Sequence, residues 1–567
     1  MSKGKERNKK ILEITDLKDM LNKTREMYSS RIAYKIKIGE KQYRTITHQE
    51  IREMIDSLGT ALIDLGLKGK RVAVIGENRY EWGLSYLAVA CGTGIIVPLD
   101  KALPENELEE LIERSEVEAI FYSQKYEKSI EKIKLSEKNK LKHLISMDAK
   151  TNREGIYSQE ELIQKGKKLI ENGNREFLDS KIDPNAMNIM LFTSGTTSKS
   201  KVVALSHKNI CSNLMDIATV LDVDKDDRVL SFLPMHHVFE CTTGFLYSLY
   251  LGNQMSFCDG IRHILENLNE YKITFACFVP AIYENMYKNI TKKLEKEGKL
   301  GIIKQLEEKY KDASMEEKKV VFKDLHNIFG GEIKLFVSGA AALDKDVEQG
   351  FRNWGINLCQ GYGLTETSPV IGVETNTSFR VGSIGKALPS VQVKLEDVNE
   401  EGIGELVAKG PNVMIEYYGN EEATKESLID GWFYTGDLGY IDKDGFLFIT
   451  GRKKNVIVLK NGKNIYPEEI EQLISNLPYV EENMVFGKEH NDDLLLSVKI
   501  VYNKEYVNEK YPNISQEELQ EIIWKDIKEI NKTFPKYKYI KNLIITDEPM
   551  IKTTTQKVKR YEEMKKI

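Results

Sequence analysis

Apolar, β-rich runs alternate with helical stretches from about Arg44 to Tyr122. The runs are "RVAVIG" (71–76), "GIIVPL" (94–99) and "EAIFYS" (118–123). That alternation predicts parallel α/β layers. It resumes with "DRVLSFLP" (227–234), "NQMSFC" (253–258), "ITFACFVP" (273–280) and "IKLFVSG" (333–339). Between Tyr283 and Phe329 the pattern turns Lys/Glu-rich and helical, without strand signals, and predicts a solvated helical pair on the surface. After Val381 the texture changes to "VQVKLEDV", "GELVAKG" and "FLFITG" with turns such as "DKDG", which predicts antiparallel strands and hairpins. From Lys453 onward the pattern mixes α and β with long polar helices.

Two uncharged runs, Trp82–Leu99 and Cys241–Cys258, only marginally reach the length of a membrane span. Each reads instead as a helix running into a strand, with Gly252-Asn253 as the break in the second. The N-terminus is basic but lacks the apolar core of a signal peptide. A chain of 567 residues exceeds one hydrophobic core, so at least two domains are expected. A net charge of -5 argues against general nucleic-acid binding. The six cysteines are scattered and form no C-x-x-C pair, as expected of reduced thiols in a cytosolic protein. His236-His237 is the only histidine cluster and there is no H-E-x-x-H, so a zinc site is not expected.

The chemistry concentrates in a few stretches. "LFTSGTTSKSKVV" (191–203) crowds hydroxyls and lysines around Gly195, a composition suited to polyphosphate, although no Walker A pattern is present. Further along come "LPMHHVFE" (233–240), "SGAAAL" (338–343), "QGYGLTETSP" (360–369), "YTGDLGYIDKDGFLFITGRKKNVIVLKNGKNIYPEEIE" (434–471) and "KTTTQKVKR" (552–560). Each alone has an ordinary explanation: a turn, a surface ion pair, a solvated basic tail. Their order and spacing resemble the adenylate-forming superfamily of acyl-CoA synthetases and peptide-synthetase adenylation domains. The resemblance covers the chain from about Thr47 to the end.

That resemblance implies the fold, an α/β class. A large N-terminal domain (1–451) of layered α/β sheets plus a small β-barrel part precedes a mobile α+β C-terminal domain (452–567). It implies that Thr193, Ser194, Gly195, Thr196, Thr197 and Lys201 cradle the β- and γ-phosphates of ATP, with Ser198, Ser200 and Val202 standing where the family usually has Gly, Pro and Gly. Glu366 matches the Mg2+-binding carboxylate, with Thr193 beside the metal, and Thr365 an α-phosphate contact. Tyr362 and Gly363, with Gly339 and Ala340, match the adenine surroundings, and Asp437 and Arg452 the grip on the ribose. His237 matches the residue near the acyl carboxylate; His236 has no counterpart role. Lys557 matches the lysine that bridges carboxylate and phosphate, with Gln556 in place of the usual Gly. Lys454 matches the hinge, and Gly462 the strand that forms the thiol tunnel after the small domain swings.

The reaction implied is ATP-dependent activation of a carboxylic acid to acyl-AMP, then transfer to a thiol. Amino-acid-activating relatives commonly place an Asp where this chain has His237 and Val238, and a buried ammonium without a partner is costly, so an amino-acid substrate is disfavoured. The helical segment 283–329 resembles that of long-chain fatty acyl-CoA synthetases, which points to a fatty acid. No carrier-protein segment follows Lys557, so coenzyme A is the expected acceptor, with free acyl carrier protein as the runner-up. Ligation of an aryl or other acid to coenzyme A is a further alternative. A non-catalytic acyl-adenylate or nucleotide-binding protein is the reading from another class, against which the retention of Lys557 argues. A cytoplasmic protein is expected; peripheral contact with the inner face of a membrane and a homodimeric state stay open.

Overall fold

The structure, a computed structural model, describes residues 11–136, 138–193, 200–459, 463–490, 493–553 and 557–567. The predicted parallel layers form two large sheets. In the first, Lys70–Ile75 lies between Gly94–Pro98 and Ala119–Tyr122, all parallel, with Val72 level with Ile96 and Ala119. Val72, Ala73, Val74 and Ile75 are all buried, so both faces of this strand are covered, as a parallel sheet requires. The antiparallel pair Met187–Thr193 and Lys201–Ser206 extends the same sheet.

In the second sheet Gln254–Phe257, Arg228–Ser231, Phe275–Phe278, Leu335–Ser338 and Leu358–Gly363 run parallel in that spatial order. Its far edge is a hairpin, Ile32–Gly39 with Gln42–Thr47, that joins through Tyr34 level with Met255. The sequence reading did not predict this hairpin, although Ala33-Tyr34-Lys35-Ile36-Lys37-Ile38 alternates at the strand period.

Both uncharged runs fold as predicted. Trp82–Leu99 is the end of the helix Tyr80–Ala88, a π-helical turn Val89–Thr93 and the strand Gly94–Pro98. The second run breaks at Gly252, whose φ of 76° is left-handed. Among the described residues no helix is long and apolar enough to cross a membrane.

The segment 283–329 departs from expectation. It holds most of the helix Pro280–Lys296 and then Leu300–Lys309, Met315–Val321 and Lys323–Ile328, rather than a solvated pair. Tyr283, Met286, Ile290 and Leu294 form one buried stripe and join Phe322, Leu325 and Phe329 in a core with Phe336, Phe351 and Trp354. Most of the lysines and glutamates that dominate the composition occupy the outer faces, although Lys318 is buried and donates to the Lys311 carbonyl at 2.9 Å.

After Val381, Gln392–Glu396, Gly404–Lys409, Leu428–Ile429, Trp432–Ile441 and Leu447–Arg452 pair antiparallel. This five-stranded sheet stands where the barrel-like part was expected. Beyond it, Val480–His490, Asp493–Tyr502 and Asn542–Thr546 form a three-stranded sheet. Its core, with Ile470, Ile474, Val498, Ile523 and Ile527, is drawn from the C-terminal part alone.

Candidate active site

The first sheet supplies the phosphate-loop candidates. Thr193 ends one strand and Lys201 begins its neighbour, and the two residues pair across the ladder. Ser194, Gly195, Thr196 and Thr197 between them lie outside the described residues, as does Ser198. Ser200 follows, its carbonyl held by Arg114 Nη2 at 2.7 Å. Val202, where a glycine was expected of the family, is buried in the strand, packed in an apolar cluster with Met190 and Leu99.

The second sheet supplies the next group at the ends of two adjacent strands. Gly339 and Ala340 follow Leu335–Ser338; Gly339 packs so closely on Phe239 that a Cβ would sit 2.8 Å from its ring, and Ala340 adopts a φ of 72°. Tyr362 and Gly363 end Leu358–Gly363. At Gly363 a Cβ would lie 1.8 Å from the Pro369 carbonyl oxygen, so the chain can double back only with glycine there. The return carries Thr365 and Glu366 in a single 3-10 turn, Thr365–Thr367. Asn412 Nδ2 ties down this turn by donating to the carbonyls of Thr367 and Val370 at 3.0 and 3.1 Å. Asn213 donates to the same Val370 carbonyl at 2.8 Å, and the Met414 amide donates to the Glu366 carbonyl.

Glu366 itself is buried, and its Oε1 accepts the Tyr417 hydroxyl at 2.7 Å. Tyr417 was not singled out from the sequence, and "EYYGN" offers no signal for it. Its ring also carries the Lys201 ammonium, 4.2 Å from the centroid. The Tyr417 phenol is pushed well up by burial and by the adjacent Glu366 charge, so it stays a donor.

The antiparallel sheet brings Asp437 and Arg452 level across one ladder, although they are fifteen residues apart in sequence. Asp437 is buried; its Oδ1 accepts from Arg452 Nε at 2.6 Å and its Oδ2 from the Tyr362 hydroxyl at 2.5 Å. Burial raises the Asp437 carboxyl above its ordinary range, against the pull of Arg452 and Tyr362. Each carboxylate oxygen keeps acceptor capacity for a further hydroxyl.

The C-terminal part reaches the same place. Lys557 feels Arg452, Asp437 and Glu366 at once. It keeps access to solvent, yet the surrounding protein strips enough hydration to draw its ammonium down, with Arg452 adding repulsion. Lys454, in the turn Lys453–Asn455, is likewise drawn down by lost hydration and then by Arg452, and it also feels Lys201 and Lys557. Four cations from three parts of the chain therefore share one field with two carboxylates. The segment around Lys557 is not a loose basic tail. Lys552 pairs with Glu482 at 2.5 Å, Arg560 with Glu471, and the Lys557 amide donates to Thr553 Oγ1 at 3.1 Å. Gln556 and Gly462 lie outside the described residues.

His237 sits in the turn after Arg228–Ser231, its amide donating to the Pro234 carbonyl. Burial, then His236 and Lys557 among its neighbours, push its imidazole down to about 3, so it is neutral at working pH. His236 Nε2 lies 3.2 Å from Asp100 Oδ1, a partner the sequence reading did not identify.

The chain belongs to the AMP-binding enzyme family: the model of that description matches residues 21–418, and that of the AMP-binding enzyme C-terminal domain matches 454–566. It is 28% identical to "Long chain acyl-CoA synthetase 1" of Arabidopsis thaliana, over 95% of this chain and 88% of that one. It is 27% identical to the "Long-chain-fatty-acid--CoA ligase FadD15" of Mycobacterium tuberculosis, over 78% and 75%. Among solved structures, ATP-bound MatB from Rhodopseudomonas palustris has a TM-score of 0.75 at 24% identity, covering 97% of this chain and 99% of that one. The anthranilate CoA ligase AuaEII with anthranoyl-AMP has 0.76 at 19%, covering 97% of each. These likenesses give the fold of adenylate-forming enzymes.

Proposed function

We propose that this chain joins a long-chain fatty acid to AMP, releasing pyrophosphate, and then passes the acyl group to coenzyme A. The observation that carries the reading is the convergence of Lys201, Arg452, Lys454 and Lys557 on Glu366 and Asp437. A carboxylate attacking a phosphate brings two anions together, and a catalyst for it must neutralise charge and hold the attack in line. An excess of clustered cations serves that need and is otherwise costly.

In this reading Asp437 and Arg452 hold the ribose hydroxyls, while Tyr362, Gly339, Ala340 and Gly363 surround the adenine. Thr193 and Lys201 hold the outer phosphates together with the loop between them, and Thr365 contacts the α-phosphate. Glu366 and the Thr193 hydroxyl would each supply an oxygen donor, the kind that suits a hard cation. Magnesium bound there would neutralise phosphate charge. Lys557 bridges the attacking carboxylate and the α-phosphate. Neutral His237 lies beside the acyl carboxylate without adding a charge that titrates against it. After adenylation the C-terminal domain, residues 452–567, turns about Lys454, withdraws Lys557 and brings in Gly462 to line the thiol path.

The names of the acyl-CoA synthetase relatives support the fatty acid and coenzyme A. His237 and Val238 in place of an ammonium-binding Asp support an acid without an amino group. The test is pyrophosphate release from ATP with a panel of acids of rising chain length, with coenzyme A and acyl carrier protein compared as acceptors. The expected result is acid-dependent release, rising with chain length, and thioester formation on coenzyme A. Release with short or aryl acids only would overturn the chain-length assignment, and thioester only on carrier protein would overturn the acceptor.

A further inference from the structure

We propose that Tyr417 is a positioning residue that indexes both the Glu366 carboxylate and the Lys201 ammonium to one rigid side chain. The inference rests on the reading of Glu366 as the magnesium carboxylate. Tyr417 lies in a two-residue strand, Glu416–Tyr417, paired with the strand that leaves the phosphate loop, Tyr417 being level with Val203. Its amide also donates to Thr424 Oγ1 at 3.0 Å, so its backbone is held from two sides.

The side chain then makes two charged contacts. Its hydroxyl donates to Glu366 Oε1 at 2.7 Å, and its face carries Lys201 Nζ at 4.2 Å. The hydroxyl holds Oε1 and so resists rotation about the terminal bond, which fixes the direction in which Oε2 would meet a metal ion. The attraction of the ammonium to the ring face fixes Lys201 on the same side chain that holds Glu366. A tyrosine kept for packing alone behaves otherwise: Tyr283, fully buried, donates to the backbone carbonyl of Val337 and packs on Phe278, Phe336 and Phe351. Tyr417 joins an acid on one sheet-end turn to a base on the phosphate-loop strand, two groups far apart in sequence.

The test is ATP affinity by calorimetry in excess magnesium and in excess chelator, for the full chain and its variants. The parent should bind ATP more tightly with magnesium. Glu366→Gln should erase that gain; if the gain survives, the reading of Glu366 fails and the proposal with it. Tyr417→Phe keeps the ring under Lys201 and removes only the hydroxyl. It should leave affinity in chelator unchanged and cut the magnesium-linked gain roughly tenfold, the scale of one charge-assisted hydrogen bond. A gain intact in Tyr417→Phe but erased in Glu366→Gln would overturn the role of Tyr417 and leave Glu366 standing. Equal losses in both media would mark Tyr417 as merely structural. The double variant Glu366→Gln/Tyr417→Phe, free of an unsatisfied buried carboxylate, should bind ATP like Glu366→Gln alone in magnesium and in chelator; a lower affinity than Glu366→Gln in either medium would overturn the coupling.

Discussion

Replacing Lys557 with alanine should separate the two half-reactions. Lys557 shares its field with Arg452, Asp437 and Glu366. Desolvation and the neighbouring guanidinium together outweigh the two carboxylates, since the ammonium is drawn below its ordinary value. The folded enzyme therefore holds this charge at a cost. Removing it should not lower the melting temperature, and relief of repulsion with Arg452 and Lys454 favours a small rise. Acyl-AMP formation should nevertheless fall by roughly 10²-fold or more, the cost of losing one donor aimed at developing charge, about 3 kcal/mol. Thioester formation from supplied acyl-AMP and coenzyme A should stay nearly intact, because that step joins a thiol to an acyl group already activated. The pH profile gives a second reading. A working ammonium is fully present below its depressed pKa and lost as pH rises through it, so the alkaline limb of adenylation should fall earlier than an ordinary lysine allows, and Lys557→Ala should abolish that limb. Single-turnover kinetics of each half-reaction, in parent and variant, are the assay. Equal losses in both steps would refute the division of labour, no loss in either would refute the assignment, and a marked drop in melting temperature would refute the electrostatic account.

Three further outcomes are expected. Asp437→Asn removes the charge that Arg452 and Tyr362 both address, and should weaken nucleotide binding by roughly ten- to a hundredfold by calorimetry, since hydrogen bonds to charged groups contribute about 1.5–3 kcal/mol; unchanged affinity would place the ribose elsewhere. Gly363→Ala drives a Cβ into the Pro369 carbonyl and should cost roughly 1–3 kcal/mol in denaturant unfolding along with ATP affinity, whereas parental stability would show that the turn can yield. Glu240, fully buried, accepts the Ser231 hydroxyl at 2.6 Å and is raised by burial from 4.5 to about 8. In that window the folded chain holds a proton that the unfolded chain has lost, so stability falls as pH rises through it, by no more than about 5 kcal/mol. Glu240→Gln should flatten this decline in thermal unfolding curves across the window, and an equally steep decline in the variant would assign it to other groups.

The sequence by itself determined the layered architecture and nominated most of the residues that the structure gathers at the candidate site. A strand covered on both faces must be apolar throughout, so Val72–Ile75, Phe275–Phe278 and Leu335–Ser338 are legible as strands, and the turn glycines announce where the chain exposes polar groups. Asp437 and Arg452 were legible as a pair because a short hairpin turns sequence spacing into register. Tertiary structure alone decided what depends on long-range approach. Lysine-rich composition over 283–329 hid the buried stripe from Tyr283 to Leu294, because composition does not record which face meets the core. Tyr417 meets Glu366 and Lys201 only after two sheets and the return past Pro369 are in place. The depressed Lys557, and a His237 that stays neutral, arise first from burial and then from charges that the fold brings in, Arg452 beside Lys557 and Lys557 itself near His237. Strand and helix formation answer to local periodicity, whereas the field at a site is a sum over charges that the fold alone brings together.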